Sequence, residues 1–492
     1  MSNGTGWRAM AGIGVRLNKL FEKRSIVTAL AGMGYSTAVT ITPMVVVMAA
    51  ILLMEKLLGF YNLPYVTKEV FLCTTLYIFI FAMLAASPLG AVISKLMSDI
   101  IFEEKFGDIM PCYYTGLALN MVIAAVPGLA FVIHALAVGK VAPAVIMLGY
   151  IGYMVLVFVF YTMNYLSICK TYEKIMLFYL IGMAFAVVLS LILRYAAGAA
   201  AEISMLISID AGLCITGGLA LAALRQYFGM CSRNYGRLIQ YIGRFRKLTA
   251  ANTLYALGLY VHNFVFWGSE LGTHVLDTFV YAQSYDLASF IAMFTNISTS
   301  VIFMANVEMH FHKSYKEYSE AVIGGRYIDI EKTKNRMFGT LVNEIMSVVR
   351  VQFIISVVMY LVFSVVLDRF GFNGLVMTIY PVLAAAYFIV FIMYCSFIFL
   401  YYFEDVTGAL RTALIFFIFT AAGSVIAAQF ARMWYGSGLL AGAIAGWTYA
   451  YFRLRWIEKN IDYHIFCRGS ILKRKRAGRP SGIAYLRKEQ GR

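Results

Sequence analysis

One stretch of this chain gathers polar side chains at helical spacing inside an otherwise apolar run. Tyr285, Ser289 and Asn296 recur on one face of residues 278–305, with Tyr281 before them and Ser300 after, and Asp286 sits beside that face. A lone carboxylate inside an apolar run is protonated or paired, so Asp286 is either a structural partner or a group on a path through the chain. In the preceding apolar run Asn252, Tyr255, His262 and Asn263 lie on or next to one stripe. His262 can titrate near neutrality and pass a proton, or it can simply hydrogen-bond a neighbour. Tyr150, Tyr153, Tyr161 and Asn164 share helical spacing further upstream. Tyrosines so placed can line a path and stack on sugar rings, or they can pack at an interface.

Other polar positions point to less. Glu308 and His312 stand at i and i+4, a spacing that can hold a metal, but no third ligand accompanies them and a solvated helix face is the simpler reading. The seven cysteines are scattered and none forms a C-x-x-C pair, so neither a metal cluster nor a disulfide framework is expected. Arg194, Glu202 and Asp210 fall near the outer ends of apolar runs, where solvent or snorkelling can serve them. Arg350, one turn inside a later run, can reach the opposite interface in the same way. There is no phosphate-binding G-x-x-x-x-G-K-[ST] loop and no carboxylate-rich soluble segment large enough for a sugar transferase. Neither an enzyme nor a cofactor is expected.

The elements that must position these groups are membrane helices. Of 492 residues, 61% are hydrophobic and 13% charged, against roughly 25% charged in a soluble domain. Apolar runs extend unbroken over about 20 residues, the length that spans a bilayer as a helix, and lack the ten-residue alternation of a membrane barrel. The runs fall at 28–54, 70–96, 111–137, 141–168, 175–193, 201–224, 249–267, 278–305, 347–367, 376–400, 409–430 and 437–451. The expectation is an all-α polytopic membrane protein of about twelve transmembrane helices. Residues 1–24 are polar and basic and the first run is too long for a signal peptide, so no cleaved leader is expected.

The charge pattern orients this topology. The net charge is +16, and most Lys and Arg lie in the two tails and in alternate loops, which places both termini in the cytoplasm. A basic segment, 225–248, separates 28–224 from 249–456 and suggests two six-helix lobes. Residues 1–27 form an interfacial segment, 306–346 a long cytoplasmic piece, and 457–492 a basic tail. Trp267 and Trp434 mark outer span ends as interfacial anchors, and Trp456 follows the inner end of the last. Gly438, Gly442 and Gly446 permit close helix packing, and Pro43, Pro88, Pro127 and Pro381 are expected to kink their spans.

Two stretches carry a family resemblance. Residues 10–20, Met-Ala-Gly-Ile-Gly-Val-Arg-Leu-Asn-Lys-Leu, resemble the N-terminus of the PelG family, the membrane component of Pel exopolysaccharide export. The run Tyr285-Asp286, Phe290, Ala292, Thr295, Phe303, Glu308, Phe311 and Tyr315 is similar to that family's eighth helix. The chain departs from it with Ile297-Ser298 in place of Ile-Pro and Glu308-Met309 in place of Glu-Thr. The resemblance implies a flippase-like fold of the multidrug/oligosaccharidyl-lipid/polysaccharide superfamily and a cationic, N-acetylgalactosamine-rich polymer. It further implies a cytosolic glycosyltransferase, a cyclic-di-GMP-responsive membrane protein and a membrane-anchored scaffold as partners, with no role for nucleic acid.

The resulting expectation is a transporter in the bacterial cytoplasmic membrane that passes a nascent biofilm polysaccharide between its lobes. Three rivals stand beside it: a lipid-linked oligosaccharide flippase, a cation-coupled drug antiporter using Asp286 and His262, and a scaffold for the synthase that transports nothing.

Overall fold

A computed structural model describes residues 26–169, 171–229, 231–369 and 374–463; within these, the side chains at 26–40, 296–302, 304–306, 308–309, 366–369 and 462–463 are left aside. The first half comprises α1 (Ile26–Leu57), α2 (Tyr65–Phe102), α3 (Ile109–Val138), α4 (Pro143–Ile168), α5 (Tyr172–Leu191) and α6 (Ala201–Tyr227). A short helix, α7 (Arg237–Arg244), leads into α8 (Arg246–Trp267), then strands β1 (Thr273–Val275) and β2 (Phe279–Tyr281), then α9 (Gln283–Asn306). A π-turn at Val307–Phe311 joins α9 to α10 (His312–Gly324). There follow α11 (Tyr327–Arg369), α12 (Gly374–Tyr402), α13 (Val406–Ala427) and α14 (Ser437–Tyr463).

Among the described residues eight helices, α2 to α6 and α11 to α13, are long and apolar enough to cross a membrane. The chain is an all-α polytopic membrane protein. Each apolar run of the sequence falls on one helix, with one correction: residues 278–282 lie in or beside β2 rather than in a helix. Leu276 and Asp277 both take positive φ (51° each) and the Thr278 N–H donates to the Val275 carbonyl, which is a hairpin turn of the primed type. Hydrophobicity alone does not distinguish such a hairpin from the start of a span, and the residues in its turn are not the usual Asn-Gly.

The helices pack as two bundles. In the first, α4 lies against α2, α3 and α6, and α5 against α1 and α6. In the second, α13 lies against α8 and α14, and α12 against α9 and α14. The bundles meet where α2 packs on α8 and α1 on α9. Pro88 interrupts α2 and removes the N–H that the Leu84 carbonyl would accept; the Ser87 hydroxyl donates to that carbonyl instead, at 2.9 Å. Gly442 lets α14 close on α13 so tightly that a Cβ there would stand 2.0 Å from Thr420 Oγ1. Asp405 caps α13 by accepting from the Gly408 N–H (3.1 Å) and binds the Arg453 guanidinium of α14.

Candidate functional site

The polar groups of α8 and α9 form a connected network inside the second bundle. His262 and Asn263 are buried on α8, and Tyr285 and Ser289 on α9. His262 Nδ1 lies 2.8 Å from the Tyr285 hydroxyl and Nε2 lies 3.4 Å from the Tyr387 hydroxyl of α12. The Tyr387 hydroxyl is also 2.9 Å from Ser289 Oγ. Tyr285 donates on to the Tyr435 carbonyl at 3.5 Å. Both imidazole nitrogens are therefore engaged, and the ring ties three helices together.

Asp286 sits one turn inside α9 and accepts from three donors. Asn263 Nδ2 donates to Oδ1 at 2.7 Å, Trp267 Nε1 reaches both oxygens at 3.0 and 2.9 Å, and the Ala282 backbone N–H donates to Oδ2 at 3.0 Å. The carboxylate thus fastens the end of α8 to the start of α9, where the hairpin emerges. Trp267 is correspondingly not a lipid anchor: it is 7% exposed and lies flat on Tyr77 of α2, with ring centroids 5.2 Å apart. An aromatic residue at a span end reads as an anchor by position, and only the facing carboxylate and ring disclose its other use.

The tyrosines of α4 divide between two settings. Tyr150 and Tyr153 line a cavity of about 290 Å³ between α2, α3 and α4, with Tyr77, Phe81, Phe131 and Phe279 among its other walls. The Tyr153 hydroxyl donates to the Ala124 carbonyl at 3.0 Å. Tyr161 is fully buried further along and packs against Tyr113 and Tyr165, away from the cavity lining. Asn164 and Asn252 meet at the seam between bundles, both beside Gly90, and Asn252 donates to the Ser87 carbonyl. Tyr255 stacks on Tyr394 and Phe397 of α12, apart from the His262 network. Asn296 and Glu308 have side chains outside the described residues.

Two features escape a reading of the sequence. Asp210 is not served by solvent at an outer end: it is 7% exposed, its Oδ2 is buried with no hydrogen-bond partner, and it packs where Gly152 of α4 leaves room for it. Its distance along α6 gives no hint of this, because a glycine on another helix decides its surroundings. The hairpin is the second feature. Tyr77 both donates to the Val280 carbonyl (2.8 Å) and accepts from the Val280 N–H (3.0 Å), Tyr281 donates to the buried Glu69, and Lys140 pairs with Asp277. Hydrogen bonding to Lys140, reinforced by its charge, holds the Asp277 carboxyl below its usual range. No group of three or more His, Cys, Asp or Glu suited to a metal occurs among the described residues.

Comparison with known proteins places this geometry. Solved structures of similar fold include MATE in the straight conformation (13% identity, TM-score 0.57), covering 92% of this chain and 99% of that one. An outward-facing multidrug resistance MATE family transporter of the MOP superfamily aligns at 13% identity and TM-score 0.53, over 92% of this chain and 99% of that one. An inward-facing one aligns at 13% identity and TM-score 0.51, over 85% and 99%. At such identity the likeness is one of fold. No curated protein matches the sequence. The family described as "PelG: Putative exopolysaccharide Exporter (EPS-E)" matches residues 10–466, and the chain belongs to the PelG family.

Proposed function

We propose that this chain carries a growing exopolysaccharide across the bacterial cytoplasmic membrane, through the seam between its two bundles, as the transport subunit of a polymer-synthesising complex. The observation that carries this reading is the family match over residues 10–466 on a fold shared with transporters. The polymer is the cationic, N-acetylgalactosamine-rich Pel product that the sequence resemblance implies. Synthesis falls to a cytosolic glycosyltransferase, with a cyclic-di-GMP-responsive subunit and a membrane scaffold completing the assembly.

The helices cross the membrane twelve times in this reading, with both termini in the cytoplasm, as the distribution of Lys and Arg favours. The hairpin then faces outward and the α10–α11 arm inward. The seam offers what a sugar chain needs: amides at Asn164 and Asn252, and an aromatic-lined cavity opening from α2, α3 and α4. The chain's own groups bind and guide, and chemistry on the sugar is left to the partner.

The test is reconstitution of the chain with the polymerising enzyme in sealed vesicles, the enzyme and its nucleotide sugar being supplied outside. Polymer protected inside the vesicles is the expected result. Polymer that stays on the synthase side, although the complex assembles, would mean a scaffold rather than a transporter.

A further inference from the structure

We propose that the cavity between α2, α3 and α4 is a binding site for a single sugar ring, and that the β1–β2 hairpin of the second bundle is its lid. The inference rests on the reading of the chain as a polysaccharide transporter and adds to it a place, a ligand unit and a moving part.

The site is aromatic and almost wholly apolar. Tyr77, Phe81, Phe131, Tyr150 and Tyr153 contribute flat faces from three helices of the first bundle, and Phe279 adds a sixth from the hairpin. The volume of about 290 Å³ lies at the small end of ligand sites, which suits one ring and not a folded oligosaccharide. A pyranose carries its hydroxyls around its edge and presents C–H groups on its faces, so an aromatic wall recognises the face while leaving the edge to water or to the seam. Gly128 and Gly149 are part of the lining and keep Tyr150, Tyr153 and Thr74 close to the neighbouring backbones: a Cβ at either glycine would come within 2.9 Å of those side chains.

The lid belongs to the other bundle. Phe279 is 2% exposed, with its ring 5.2 Å from Tyr77 and 5.6 Å from Phe131. The hairpin is held down at three further points: Val280 on the Tyr77 hydroxyl, Tyr281 on Glu69, and Asp277 on Lys140. Its turn is formed by Leu276 and Asp277 at positive φ, a conformation that is unfavourable for a leucine and persists only where surrounding contacts enforce it. Leu276 supplies such a contact by packing against the buried core, and it lines a small cavity together with Val66, Phe71 and Leu206 of the first bundle. Because the lid is fixed to α8 and α9 through Asp286, separation of the bundles on this side must draw Phe279 off the cavity. Opening of the seam and uncovering of the sugar site are then a single motion.

The experiment uses the full chain in lipid nanodiscs, with oligosaccharides prepared from the polymer the same cells secrete as the probe. Cys214, Cys231 and Cys467 are first replaced by serine, and Lys140→Cys with Asp277→Cys allows the hairpin to be tied down by a short, reducible bis-thiosulfonate linker. Both native side chains are more than half exposed, so the reagent has access. Binding is followed by the fluorescence of Trp267 in a chain whose Trp7, Trp434, Trp447 and Trp456 are replaced by phenylalanine, since the Trp267 ring stacks on Tyr77 at the cavity wall. The expected result is that linking abolishes probe binding, that reduction restores it, and that Tyr150→Ala in the unlinked chain weakens it by about tenfold. Three results overturn the proposal: binding unchanged by linking, binding unchanged by Tyr150→Ala in a chain of wild-type thermal stability, or displacement of the fluorescence signal by decanol while the oligosaccharide has no effect. Should Tyr150→Ala fail to fold, Phe131→Leu takes its place, with the same weakening expected. The vesicle assay is scored separately: protected polymer together with unaltered binding removes the lid and site but leaves transport standing.

Discussion

At the scale of residues, the two titratable groups that stood out in the sequence are held by many partners. The Asp286 carboxyl group accepts from Asn263, Trp267 and the Ala282 N–H, so both of its oxygens are engaged by fixed donors. Asp286→Asn presents an NH2 to at least one of these donors, leaving two hydrogens facing each other. A loss of roughly 1–3 kcal/mol is expected, read as a lower melting temperature in detergent, with reduced polymer secretion at matched protein level. Secretion and melting both unchanged would remove Asp286 from the structural account and from the mechanism alike. His262 makes a different prediction. Its ring joins Tyr285 and Tyr387, and His262→Ala removes one partner from each hydroxyl, leaving the Tyr435 carbonyl to the first and Ser289 to the second, whereas His262→Gln retains a donor and an acceptor. Alanine should therefore destabilise by roughly 1–3 kcal/mol and glutamine by clearly less, in the same thermal assay. If glutamine is as damaging as alanine, the ring itself is needed and not its hydrogen bonds.

At the scale of elements, much of the fold could be read from apolar length alone. Every apolar run of the sequence falls on one helix, residues 278–282 apart, because a bilayer demands a run of fixed length and a helix that satisfies its own backbone. The β1–β2 hairpin was hidden because Phe279, Val280 and Tyr281 are as apolar as the span they precede. Asp210 was misplaced because its burial depends on Gly152 from another helix, and sequence periodicity reports only a residue's own helix. The candidate site was legible as stripes on α8 and α9 but not as a network, since Tyr387 and Trp267 had no signal to connect them. The glycines of α14 were legible, and they make a prediction at this scale. Gly442→Leu would drive a side chain into Thr420 and the α13 backbone, where even a Cβ stands 2.0 and 2.7 Å from the nearest atoms. The cost of overpacking is about 1–3 kcal/mol or more where backbone cannot yield, so the variant should melt markedly lower while Gly218→Leu, with open space around its Cβ, should not. Equal melting of the two variants would show that α13 and α14 do not pack as closely as described.

At the scale of the whole molecule, the two bundles are tied at both ends and in the middle. The hairpin fastens one end, and Asn252 on the Ser87 carbonyl fastens the middle. At the other end Lys95 of α2 pairs with Glu404 after α12 at 3.3 Å. The ties differ in strength. The hairpin end is buried and multiply bonded; the Lys95–Glu404 pair is 29% and 58% exposed. An exposed pair contributes about 0.2–1 kcal/mol, which corresponds to no more than about a fivefold shift between two states. That is small for stability but ample for a gate. Lys95→Glu or Glu404→Lys alone places like charges together and should raise the labelling rate of a cysteine at Asn164, on the seam, by up to about fivefold with a thiol reagent applied from the cytoplasmic face. The double variant restores the pair with reversed polarity and should return labelling to the rate of the unmodified pair. Unaltered labelling in both single variants would show that this end of the seam is held by the packing of α2 on α8, with the ion pair a bystander. Rescue in the double variant would instead make the Lys95–Glu404 pair the weak tie that yields first, at the end of the seam away from the hairpin.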